Sequence, residues 1–124
     1  MSIAALNYIS DMLSDLDIDY EFGGWSTDPV PDPYFVGEYS ETESLTKEED
    51  GLQEISFILT GTGTTWIGLE RAKEAIEKNI SKTAILPNGN GIAVFYAGSL
   101  IVPTGDAELK RIQINLTIKE WSVN

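Results

Sequence analysis

Apolar and polar positions alternate along this chain with two different periods, and each change of period marks a new element. The stretch Gln53 to Ile80, QEISFILTGTGTTWIGLERAKEAIEKNI, contains both. Ile55, Phe57 and Leu59 alternate with Glu54, Ser56 and Ile58, so a period of two puts the first three on one face of a strand. Gly61-Thr62-Gly63 predicts a break, since glycine permits backbone angles that other residues avoid. Thr64 or Thr65 then supplies an N-cap. In the helix that follows, Leu69, Ala72, Ile76 and Ile80 form an apolar stripe, with Glu70, Arg71, Glu74, Glu77 and Lys78 on the other side. Glu74 and Lys78 stand in the favourable i,i+4 order. A strand–turn–helix unit of this kind can cross over a sheet and cover it.

The other segments read as one further helix and more sheet. Ser2 to about Leu16 carries Ile3, Leu6, Ile9, Leu13 and Leu16 at helical spacing, with Ser2 as cap. Asp11, Asp15 and Asp17 oppose the dipole at its end, which leaves the last turn open. Asp19 to Ser26 reads as a first strand, with Tyr20 and Phe22 on one face and Gly23-Gly24 marking a bulge or a close backbone approach. The segment 27–33, TDPVPDP, has three prolines and predicts an extended, polyproline-like connector. It is either a stiff spacer within the domain or an arm reaching a neighbouring subunit. Tyr34 to Ser40 reads as a strand, and about 41–51 as a long exposed acidic loop, for Glu38 to Glu54 contains seven acids and one lysine.

Ser81 to Gly91 reads as loop, with Asn88-Gly89 and Asn90-Gly91 as tight-turn pairs. Ile92 to Val102 is one long strand or two joined at Gly98, where Ala97-Gly98 also suits a hairpin turn. Leu109 to Val123 is a half-buried strand in which Ile112, Ile114, Leu116 and Ile118 alternate strictly with polar residues. Trp121 disturbs that phase and predicts a bulge, or a switch in what is covered, near Glu120. The order α-β-β-β-α-β-β predicts a single α+β domain over residues 1–124, a mostly antiparallel sheet with both helices packed on one face.

Composition narrows the chemistry. Twenty acids against eight bases give a formal charge of −12, a surface that repels nucleic acid and anionic lipid. That charge serves solubility, or forms an acidic face or lumen past which a polyanion slides. No apolar run approaches the roughly 20 residues that span a bilayer, and the N-terminus lacks the basic region of a signal peptide. The absence of cysteine removes disulfides and thiolate chemistry, and the absence of histidine removes the commonest general base and zinc ligand. GTGTTW precedes a helix but lacks the lysine of a P-loop and the dinucleotide fingerprint. Asp15, Asp17 and Asp19 begin like a calcium loop, yet Tyr20 stands at the turn-glycine position and Ser26 at that of the bidentate glutamate. Neither an enzyme, a cofactor nor a metal site is expected. The large aromatics Trp25, Tyr34, Phe35 and Trp66, near strand ends and the proline-rich connector, are either core or anchors of a subunit interface. They are the interface candidates, together with Glu41, Glu43, Glu48, Glu49 and Asp50 of the acidic loop.

Three stretches carry a resemblance: DYEFGGWSTDPVPDPYFVGEYSETESLTKEEDG (19–51), FILTGTGTTWIGLERAKEAI (57–76) and VPTGDAELKRIQINLTIKEWSVN (102–124). In these, and in element order over most of its length, the chain resembles the tail-terminator (tail-completion) proteins of long-tailed bacteriophages. The resemblance implies a non-enzymatic, cofactor-free virion protein forming a homo-hexameric ring. Such a ring caps the tail tube, stops its polymerisation and joins it to the head-side connector. Its place is the head–tail junction, and the host cytoplasm during assembly. DNA would pass its acidic lumen without specific binding, and the loop from Glu41 to Asp50 would face that lumen or the tube. Rival readings are a head-completion or neck ring protein, a monomeric acidic inhibitor that mimics DNA, and a small carboxylate enzyme or regulator.

Overall fold

The computed structural model describes residues 1–41, 52–80 and 82–122. Helix α1 spans Ile3–Asp15, and the Ser2 hydroxyl caps it by accepting from the Ala5 N–H. The helix ends at Leu16, and Asp17 turns the chain away with a left-handed φ of 58°. Its buried stripe is Ala5, Ile9 and Leu13. Ile3, expected on that stripe, is 78% exposed, for it sits six positions and so about 120° around the helix from Ile9.

Strands β1 (Tyr20–Phe22), β2 (Tyr34–Glu41) and β3 (Gln53–Gly63) follow, then helix α2 (Trp66–Asn79) and strands β4 (Thr83–Ile85), β5 (Gly91–Ile101) and β6 (Lys110–Trp121). They form one six-stranded sheet in the order β1-β2-β3-β6-β5-β4. β1 runs parallel to β2, and every other pair is antiparallel. The fold is thus α+β in the expected order, with a mixed sheet and one three-residue strand added where loop was expected. The turn at Asn88-Gly89 closes the β4–β5 hairpin, with Leu86 N–H donating to Asn90 O at 2.7 Å.

Alternation builds the core. Ile55, Phe57 and Leu59 of β3 and Ile112, Ile114, Leu116 and Ile118 of β6 are buried on one face. They join Ala5, Ile9 and Leu13 of α1 and Leu69 and Ile76 of α2 in a single apolar cluster. Thr65 is the N-cap of α2, accepting from Gly68 N–H at 3.1 Å, and Lys78 donates to Glu74 at 2.8 Å as the spacing predicted.

Three local expectations need correction. The strand does not break at Gly61-Thr62-Gly63: β3 runs through to Gly63. Gly61 faces Phe35 across the ladder, and a Cβ there would overlap the Phe35 ring, so the glycine serves close packing instead of a turn. The register runs without a bulge through Glu120; β5 is one strand through Gly98, where two residues between Tyr96 and Ser99 oppose one on β6 and Gly98 takes a φ of 112°. β6 itself keeps phase to its end because Glu120, not Trp121, occupies the inward position. Residues 27–33 form a series of bends, with cis bonds at Asp28-Pro29 and Asp32-Pro33, in place of a polyproline path.

Candidate functional site

The interface candidates divide by the pleat. Tyr34 and Phe35 are neighbours in β2 and so point to opposite faces. Phe35 is wholly buried against Gly61 and belongs to the core, which withdraws it from the set of interface anchors. Tyr34 lies opposite Thr62, and the Trp25 ring packs on it at 5.5 Å with a tilt of 54°. The Trp25 indole N–H has no hydrogen-bond partner among the described residues. Thr62 in turn accepts from Arg111 Nε at 3.1 Å. Trp66 opens α2 at 40% exposure, and with Ile101, Leu109, Arg111 and the turn between β5 and β6 it lines a cavity of about 340 Å³. Trp25, Tyr34 and Trp66 are therefore brought to the same end of the sheet, where β2 and β6 begin and β3 and β5 finish.

The proline-rich connector is fastened to that end. The Asp32 carboxylate accepts from Thr64 N–H at 2.9 Å and from the Thr64 hydroxyl. These two bonds, the hydroxyl's first, hold the Asp32 pKa below its ordinary value. At this point the connector is tied to its own chain, just ahead of the α2 cap.

The opposite end has a different chemistry. Glu41 closes β2 there and accepts the Met1 ammonium at 2.5 Å. Glu120, 4% exposed, accepts from Ser2 N–H at 3.1 Å and from Asn90 Nδ2 at 2.8 Å. Burial pushes its pKa up, but these donors and the N-terminal charge outweigh burial, and the net shift is downward. This buried carboxylate escaped sequence reasoning. The only signal was an acid standing in the inward register of an otherwise apolar alternation. Glu43, Glu48, Glu49 and Asp50 lie outside the described residues. The eleven residues of β3 separate the two ends by about 35 Å.

Charge is also divided across the sheet. β1, β2 and β3 carry Glu21, Glu38, Glu41 and Glu54 and no base, whereas β4, β5 and β6 carry Lys110, Arg111 and Lys119 with Glu120 as their one acid. Glu54 and Lys119 stand directly opposite at the boundary. Among the described residues no group of three or more potential metal ligands gathers, and no helix is long and apolar enough to cross a membrane.

No protein-family model matches the sequence, and no curated protein matches it. Thirteen solved chains do match in structure. One is a chain of the virion of a native gene transfer agent particle, with a TM-score of 0.66 at 9% identity, over 89% of this chain and 84% of that one. At that identity the likeness is one of fold.

Proposed function

We propose that this chain is a structural protein of a phage-like virion and serves as its tail terminator. It forms a homo-hexameric ring that caps the tail tube, ends tube polymerisation and joins the tail to the head-side connector. The observation that carries this reading is the likeness of fold, over 89% of the chain, to a chain of a virion particle. A protein placed between two partners needs two unlike ends. The aromatic end with Trp25, Tyr34 and Trp66 and the acidic end with Glu41 offer such a pair. The charge of −12 suits a lumen that lets DNA pass without adhering. The protein acts without catalysis or cofactor, at the head–tail junction, and in the host cytoplasm during assembly.

Native mass spectrometry of the purified protein, alone and with polymerising tail-tube protein, tests the ring. Six copies of the 13.6 kDa chain give a species of about 82 kDa in at least one condition. A monomer in both conditions contradicts the reading and favours a DNA-mimicking inhibitor. A ring that ignores the tube and joins the portal side identifies a head-completion protein.

A further inference from the structure

The register of the sheet aligns its two outer edges. Glu21 lies opposite Val36, Val36 opposite Thr60, Thr60 opposite Gln113, and Gln113 opposite Leu100. The rows on either side run from Tyr20 to Ile101 and from Phe22 to Ser99. The three residues of β1 thus sit level with the three residues of β5 that follow its bulge. β4 covers β5 only at Gly91–Ala93, so among the described residues no strand pairs the outer edge of Ser99–Ile101. The short edge strands β1 and β4 occupy diagonally opposite corners, and a notch lies beside each.

Direction and charge both select what fills the notch. β1 and β6 run one way and β5 the other. A second copy set beside the first at the same height, in the same orientation, therefore brings its β1 antiparallel to Ser99–Ile101. Glu21 of one copy then lies one uncharged strand away from β6 of the next, which carries Lys110, Arg111 and Lys119. A two-fold contact through β1 would instead set Glu21 beside Glu21, and like charges opposite each other destabilise paired strands, whereas β4 and β5 carry no charge. The apolar residues at these edges are unusually bare: Phe22 and Leu100 are each 48% exposed and Ile101 63%. An edge of this kind is a template for strand addition.

We propose that copies of this chain join head to tail by pairing β1 of one copy with Ser99–Ile101 of the next, continuing the sheet across the subunit boundary. The proposal rests on the self-assembling reading above and adds which edges meet. It is a heterologous contact, the kind that makes rings when its rotation closes.

The chain has no cysteine, so engineered thiols report directly. Glu21→Cys and Leu100→Cys are prepared as single variants, confirmed folded by circular dichroism, mixed and oxidised. Phe22→Cys with Ser99→Cys, from the adjacent row, is a second pair in case loss of the Glu21–Ser26 hydrogen bonds disturbs folding. Disulfide-linked dimer in the mixture and in neither single variant is the expected result, as is at least a tenfold weakening of self-association by Ile101→Lys. Dimer from a single variant, or a native assembly of ring mass with no cross-link in either mixture, overturns this joint and leaves the ring standing. A wild-type monomer at every concentration, with and without tube protein, overturns both.

Discussion

Two residues show how finely the core face is fitted. Gly61 leaves room for the Phe35 ring on the neighbouring strand, and any side chain there has to displace a wholly buried aromatic. Gly61→Val should therefore lower stability by about 1–3 kcal/mol, the ordinary range for overpacking a core. Urea unfolding checks this, and an unchanged midpoint would mean that Phe35 repacks freely. Glu120 presents the opposite case, a charge among apolar residues held by Ser2 N–H and Asn90. Glu120→Ala strands both donors and should cost about 1–3 kcal/mol. The pKa of Glu120 is lowered in the folded chain. The unfolded chain thus takes up its proton first as the pH falls, and the stability Glu120 contributes is full above the ordinary carboxylate range. That contribution drains away as the pH drops through the lowered value. Unfolding midpoints followed from pH 7 to pH 3 should fall less steeply for Glu120→Gln than for the wild type, and parallel curves would contradict the assignment.

Among the elements, the junction before α2 concentrates the most local control. Thr65 caps the helix, and Asp32 reaches across from the connector to Thr64. Thr65→Ala should cost about 1 kcal/mol, measured by thermal unfolding. Asp32→Ala should leave the core intact but raise amide exchange in residues 27–33, since only the connector loses its tether. Elements with a full period of contrast were legible beforehand: α2 with its cap, the inward isoleucines of β6, and the Asn88-Gly89 turn. Other features depended on partners distant in sequence. Gly61 reads as a break because the Phe35 ring that needs the space is invisible along the chain. Glu120 stands out only as an acid in an inward register, because its donors, Ser2 and Asn90, are distant in sequence. β4 is three residues long, too short to show a period, and β1 gains its place only by parallel pairing with β2. Of the site, Trp25, Tyr34 and Trp66 were legible only as large aromatics, either core or interface anchors. Phe35 was assigned to the interface because the phase of β2 relative to the core cannot be read from YFVGEYS alone.

At the scale of the whole molecule, the sheet is divided twice: along its strands into an aromatic and an acidic end, and across them into an acid-only and a base-bearing half. The first division supplies two faces for two partners, and the second sets unlike charge on the two sides of the joint proposed between copies. A subunit built in this way suits a ring stacked between a tube and a connector, and tail termination follows if one face of the ring recognises the open end of the tube. Electron microscopy of tail-tube protein polymerised with and without this protein tests that claim most directly. Tubes that stop elongating and bear a ring of extra density at one end only are the predicted result. Tubes that grow to the same lengths with bare ends, at any ratio of the two proteins, would contradict the account.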